Sequence, residues 1–262
     1  NEFNRYKGKS ESGQVFTPEH ITSFMYRLIE VDKTDKVLDA ACGSGGFLVK
    51  AMANMLKESG GINSDDAEII KKERLYGIEF DRQLYALACA NMLIHKDGKT
   101  NLEQLDTRTD EACEWIESKG ITKVLMNPPF ERKYGCIPIV KNVLDSVSAE
   151  FLYEFKLDKK TKKQRKVKKL RYTRKVKCAF ILPDKKLEKD SSAKNLLKHH
   201  RLEKIIKLPE NLFLGEKTSI FIFTAGIPQN NEEIFTCYIE DDGLESVKNQ
   251  GRQDIRNKWS DL

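Results

Sequence analysis

Short apolar runs and stretches of helical periodicity alternate along most of this chain, and the alternation restricts the fold more than any single residue does. Lys36-Val37-Leu38-Asp39-Ala40 reads as a short buried strand running into Ala41-Cys42-Gly43-Ser44-Gly45-Gly46, after which Phe47, Leu48, Ala51, Met52 and Met55 recur at helical spacing. Leu75-Tyr76-Gly77-Ile78-Glu79 is a second strand, followed by a helix through Leu84, Leu87, Ala88, Met92 and Leu93. A third strand lies around Asn101 to Asp106, and Val124-Leu125-Met126 is a fourth. Val176 to Pro183, a helical stretch near Asn195 to His200, and two more strands at Leu202 to Leu208 and Ser219 to Thr224 complete the series. Such an order implies a mostly parallel sheet covered by helices on both faces, with ligands at the carboxyl ends of the strands. At 262 residues the chain is expected to form one α/β domain over 1–262, opened by a helix carrying Ile21, Phe24, Met25, Leu28 and Ile29. Thr17 stands where that helix needs an N-cap, Pro18 at its first position and Glu19 in its first turn.

Composition narrows the class. Charged residues at 33% and hydrophobic ones at 39% suit an ordinary soluble protein; no apolar run reaches membrane-spanning length, and no signal peptide opens the sequence. Residue 1 is Asn rather than Met, so the sequence reads as an excerpt or a processed product. Six cysteines without a Cys-x-x-Cys pair fit buried free thiols in a reducing cytoplasm, and the four histidines have no partners at ligand spacing, so no metal site is expected. Charge is unevenly spread. From Lys156 to Lys177, thirteen Lys or Arg face one acid, Asp158, a local charge of +12 that leaves the remainder of a +6 chain at −6. This basic insertion reads either as a solvated, disordered loop or as a patch for a phosphate backbone.

The fourth strand ends in Asn127-Pro128-Pro129-Phe130. Two successive prolines stop a strand and leave, at the mouth of the sheet, a carboxamide, carbonyls without neighbouring N–H groups, and an aromatic face. Asn127 Oδ1 and the Pro128 carbonyl can accept both hydrogens of an exocyclic amine while Phe130 stacks on its ring. A heterocyclic amine is a poor nucleophile because its lone pair is delocalised, and acceptors out of the ring plane draw the nitrogen toward a tetrahedral, attacking state. The plainer alternative is a Pro-Pro turn in which Asn127 caps its own backbone.

The turn from Asp39 to Gly46 joins strand to helix through three glycines, letting a ligand approach the backbone and the helix N-terminus. It has neither the G-x-G-x-x-G spacing of a dinucleotide fingerprint nor the Lys-Ser/Thr of a P-loop. Asp39 opens the turn and suits a cationic ligand, Glu79 closes the second strand where a carboxylate can take ribose hydroxyls, and Asp106 ends the third, in reach of an adenine amine. Each acid alone reads as a cap or a solvated strand end; three at successive strand ends favour S-adenosylmethionine.

At these residues the chain resembles the DNA adenine-N6 methyltransferases of the gamma order, above all the modification subunit of type I restriction-modification systems. The likeness runs through Gly13-Gln14-Val15-Phe16-Thr17-Pro18, Asp39 to Phe47, Gly77-Ile78-Glu79, Ala90 to His95, Asn127 to Phe130, Ala179 to Pro183, and Ile206-Lys207-Leu208-Pro209 with Thr218-Ser219-Ile220. Ala40 stands where the family commonly has proline, and no glycine precedes Asp106. The resemblance implies a Rossmann-like sheet of about seven strands with a reversed hairpin at one edge, and S-adenosylmethionine as cofactor. It implies that Thr17 and Pro18 lie against the methionine part of the cofactor, within an amino-terminal contacting segment over 1–30. Asp39 and Gly43 border it, Glu79 takes the ribose and Asp106 approaches the adenine, with Gln14, Cys42, Gly45 and Phe80 completing the cofactor set. Asn127, Pro128, Pro129 and Phe130 hold the target base. The implied activity is methylation of adenine N6 in double-stranded DNA in the cytoplasm, beside a DNA-specificity subunit and a restriction subunit, away from membranes. The alternatives are a methylase of rRNA or of protein glutamine, which needs the same amine clamp, and an inactive cofactor-binding scaffold.

Overall fold

The computed structural model describes residues 17–95, 101–130, 135–157, 164–185, 187, 193–210, 212–213, 216–247 and 251–255. Its centre is an eight-stranded sheet built from β1 (Val37–Asp39), β2 (Leu75–Ile78), β3 (Asn101–Glu103), β4 (Lys123–Met126), β7 (Val176–Pro183), β8 (Arg201–Lys207), β9 (Thr218–Ala225) and β10 (Phe235–Tyr238), in the order β10-β8-β9-β7-β4-β1-β2-β3. All neighbours pair in parallel except β9, which is antiparallel to both β7 and β8. The eight strands agree with the expected sheet of about seven; one detail departs from expectation, in that the reversed strand lies inside the sheet because β10 pairs outside the β8–β9 hairpin.

Both faces of the central strands are buried, which explains why they read as continuous apolar runs. In β7, Cys178, Phe180 and Leu182 pack with helices α5 (Asp110–Lys119) and α6 (Cys136–Ser148), while Ala179 and Ile181 pack with α1 (Glu19–Leu28), α2 (Gly46–Glu58), α3 (Ala67–Glu73) and α4 (Arg82–Ile94). Local signals set the helix starts. Asp81 caps α4 by accepting from the backbone N–H of Gln83 and Leu84, and Thr109 caps α5 by accepting from Ala112. Gly120, at φ +66°, ends α5 in the left-handed conformation. Thr17 does not cap α1: Pro18 occupies the cap position with no side-chain bond to the helix, and the Thr17 hydroxyl is engaged elsewhere.

Residues 158–163 of the basic segment lie outside the described residues, and most of the rest belongs to a hairpin beside the main sheet. β5 (Ala149–Leu157) and β6 (Gln164–Tyr172) pair antiparallel over nine residues each, and Lys156 to Lys177 spans the end of this hairpin and the entry to β7. The N–H groups of Thr173 and Arg174 donate to the Ser148 carbonyl and close its base. Asp145, on α6, receives hydrogen bonds from Tyr172 Oη at 2.6 Å, Lys141 Nζ at 2.5 Å and His200 Nε2 at 3.1 Å, tying hairpin, helix and β8 together. Burial pushes the Asp145 carboxyl up, but those three donors outweigh it and hold it at about 2. Nδ1 of His200 accepts from the Gly226 N–H, so the buried ring is neutral, and burial keeps its pKa low.

Candidate active site

A cavity of about 400 Å³ opens at the carboxyl ends of β1, β2, β3 and β4, a volume suited to a cofactor or a nucleoside. Thr17, Asp39, Cys42, Gly43, Glu79, Phe80, Asp106, Asn127, Pro128, Pro129 and Phe130 all line it. Pro18 and Gly45 do not. Pro18 is occupied as the first carbonyl of α1, accepting from Ile21 and Thr22, and a Cβ on Gly45 would point at Ala88 of α4. Gln14 lies outside the described residues.

The glycine turn has the geometry its composition requires. Gly43 and Gly45 adopt φ of +54° and +84°, so the chain turns sharply off β1 and enters α2 directly. Glu79 binds this turn to the next one: Oε2 accepts from the Gly43 N–H at 2.8 Å and Oε1 from the Asp81 N–H at 2.8 Å. The Phe80 N–H also acts on this carboxylate, which keeps lone-pair capacity for a ligand hydroxyl. Asn91, on α4, adds a second strap by donating from Nδ2 to the Ser44 carbonyl at 3.0 Å.

Asp39 is 1% exposed, and its Oδ1 accepts from the Ala41 N–H. Burial pushes its carboxyl up to about 8, against the pull of that hydrogen bond and with the Glu79 charge adding to the rise. Burial likewise raises Glu79. A free aspartate ionises near pH ~4. Between there and about 8 the folded protein keeps a proton the unfolded chain has lost, so Asp39's contribution to stability falls as pH rises through that window. Asp39→Asn is therefore expected to gain on wild type in thermal melts as the buffer moves from pH ~5 to pH ~8. An offset equal at both ends of that range would contradict the assignment.

Asp106 is engaged differently from the expectation. Its Oδ1 accepts from the Arg108 N–H and Nε, its Oδ2 from Arg108 Nη2 at 2.6 Å, and those bonds lower its pKa. It still faces the cavity, but any amine it accepts shares the carboxylate with a guanidinium. That guanidinium also lies 5.9 Å from the Phe80 ring. Arg108 and Thr107, whose hydroxyl donates to the Ala40 carbonyl at 2.6 Å, were missed in the sequence. The one signal was their position directly after a strand-end acid.

Asn127 carries the most specific geometry. Its Nδ2 donates to Thr17 Oγ1 at 2.9 Å, which fixes the amide and leaves Oδ1 as a buried acceptor with no partner among the described residues. A buried acceptor costs roughly 1–3 kcal/mol when unpaired. This orphan oxygen, in the lining of the cavity, is what a ligand N–H would satisfy. Phe130 is held by an edge-to-face contact with the buried Phe213, ring centroids 6.2 Å apart. The plainer reading of Asn127 as a cap for its own turn does not fit, since its donor goes to Thr17, 110 residues away in sequence. Among the described residues no group of His, Cys, Asp and Glu is placed to hold a metal ion, and no helix is long and apolar enough to cross a membrane.

Comparison with known proteins bears on the same residues. The family model described as N-6 DNA Methylase matches residues 1–258. The type II restriction enzyme and methyltransferase RM.BcgI of Heyndrickxia coagulans is 36% identical over 252 residues, covering 92% of this chain and 36% of that protein. The type I restriction enzyme EcoEI methylase subunit of Escherichia coli is 25% identical over 233 residues, covering 83% and 43%. In fold, the chain is similar to a modification subunit assigned to a type I restriction enzyme of Vibrio vulnificus YJ016, with a TM-score of 0.65 at 20% identity over 99% of this chain and 55% of that one. The chain thus spans about a third to a half of the length of these relatives.

Proposed function

The chain belongs to the N-6 DNA methylase family, and from that membership we propose that it transfers a methyl group from S-adenosylmethionine to the N6 amine of adenine in double-stranded DNA. The observation that carries this reading is the unpaired, buried Oδ1 of Asn127, oriented by Thr17 in a cavity that Phe130 also lines.

The residues divide the work by chemistry. S-adenosylmethionine, when bound, supplies an electrophilic methyl on a positively charged sulfur. Asp39, ionised once a cation lies beside it, balances that charge, and Glu79 accepts from the ribose hydroxyls through the lone-pair capacity that Gly43, Phe80 and Asp81 leave free. Opposite them, Asn127 Oδ1 and the Pro128 carbonyl accept the two hydrogens of the adenine amine. The lone pair on N6 then localises and points away from both acceptors. A stacked base must leave the duplex to reach this site, at a cost of a few kcal/mol, and stacking on Phe130 offsets roughly 1–3 kcal/mol of it. No strong base is needed, because the N6 proton becomes acidic only as the new bond forms; rate comes from orientation and from acceptors aimed at the developing ammonium.

The resemblance to type I methylase subunits supports partners in the cytoplasm, a DNA-specificity subunit and a restriction subunit. The rival substrates, rRNA and protein glutamine, draw no support from the relatives, and the intact clamp speaks against an inactive scaffold. Labelled methyl transfer offered in parallel to DNA, rRNA and release factor tests the reading, with label expected in DNA alone. Thr17 provides a finer check. Losing its hydroxyl removes about 1 kcal/mol of orienting hydrogen bond, so Thr17→Val is expected to slow single-turnover transfer about fivefold while Thr17→Ser stays near wild type. Equal rates for all three would remove Thr17 from the clamp.

A further inference from the structure

The β5–β6 hairpin is placed to meet the duplex that the reading above requires, and the deduction rests on that reading. β5 starts at Ala149, directly after α6 has descended to the amino ends of the sheet strands, and climbs back along α5. Tyr153 Oη donates to Glu114, and Lys168, its cross-strand neighbour, bonds Asp110 Oδ1 at 2.5 Å. Asp110 begins α5 and lies four residues past Asp106 in the cavity wall. At Tyr153 the hairpin has therefore reached the level of the cavity. Four more strand residues, Glu154 to Leu157, carry it on by ~13 Å at the usual rise of a β-strand.

Charge is graded along this arm. From its base up to the cavity level the cations are neutralised in place: Arg171 by Glu150, Lys168 by Asp110, and Lys169 by Glu154 just beyond. Toward the far end, Lys156 and Lys166 are exposed on opposite faces of the ribbon and make no ion pair among the described residues; Lys156 acts only from a distance on Glu154, which Lys169 already holds, and Lys166 sits 3.7 Å from the Tyr153 ring. Beside them Phe155 and Leu157 are 69% and 62% exposed. A ribbon that is neutral where it leans on the protein and cationic where it passes the cavity matches a polyanion approaching that pole. A two-stranded ribbon is also of a width that a DNA groove admits.

We propose that the far end of the β5–β6 hairpin grips the DNA backbone beside the flipped adenine, with Lys156 and Lys166 on phosphates. Contacts of this kind fix register and orientation without reading sequence. Each phosphate contact contributes about 0.9 to the slope of log affinity against log salt. The experiment is a salt series of duplex binding by the full chain, wild type against Lys156→Gln/Lys166→Gln, with KM and kcat for labelled methyl transfer to the same duplex. The double variant is expected to show a slope lower by close to two, a raised KM and an unchanged kcat. Lys156→Gln alone, a change at an exposed side chain that makes no ion pair among the described residues, is expected to give half the slope change and guards against misfolding. Wild-type slope and KM in variants of an active enzyme would overturn the arm alone and assign its exposed apolar residues to a protein contact. A wild type that neither binds duplex nor methylates it would overturn the underlying reading with it.

Discussion

Asn127→Ala lowers single-turnover methyl transfer by at least about 10²–10³-fold, the scale seen when one preorganised group facing developing charge is removed, while cofactor affinity stays within a fewfold of wild type. The separation follows from the geometry. Asn127 Oδ1 is a buried acceptor without a partner among the described residues and lines the cavity, whereas the glycine turn and its two straps, from Glu79 and Asn91, do not involve it. Asn127→Asp sharpens the test: the acceptor survives, but the N–H that Thr17 receives is lost and a charge enters a buried place. It is expected to remain strongly impaired. Turnover of the alanine variant within a few fold of wild type would dissolve the clamp.

The second large effect is thermal. S-adenosylmethionine at a hundredfold excess over its dissociation constant stabilises a protein that binds it only when folded by ~2.7 kcal/mol. Glu79→Ala is expected to abolish most of that shift and to lower the baseline melting temperature as well, because the Gly43 and Asp81 N–H groups lose their shared acceptor. Glu79→Gln retains one carbonyl acceptor, so it is expected to recover part of the baseline and little of the cofactor response. A wild type whose melt ignores the cofactor would overturn the assignment of this turn.

What the sequence disclosed, and what it hid, has a physical pattern. The central strands were legible because both faces are buried, so Cys178 to Pro183 or Ile220 to Phe223 reads as an unbroken apolar run. The acids at the ends of β1 and β2 and the Pro-Pro stop after β4 were legible for the same reason, whereas β3 is half-exposed and Asp106 lies three residues beyond it, so it was marked only by its place in the strand–helix order. β10 was not: Phe235 and Tyr238 are mostly exposed at the sheet edge, and no buried stripe marks them. The hairpin was hidden by its own lysines. Phe151, Tyr153 and Phe155 share one face with Lys166, Lys168 and Leu170, so apolar and cationic residues mix on a ribbon exposed over most of its length. Charge density there was read as disorder or as a patch, and the strand pairing that organises it left no alternation to find. Thr17 was misread as a cap because its partner is 110 residues away, and the Arg108 bond to Asp106 was invisible because a strand-end acid gives no sign of which neighbour will claim it.

The most direct measurement of the central claim is mass spectrometry of nucleosides from unmethylated duplex DNA incubated with the full chain and S-adenosylmethionine, with Asn127→Ala run alongside. N6-methyldeoxyadenosine should accumulate with wild type and be absent with the variant. Methyl groups found on another atom, or equal yields from both proteins, would contradict the account.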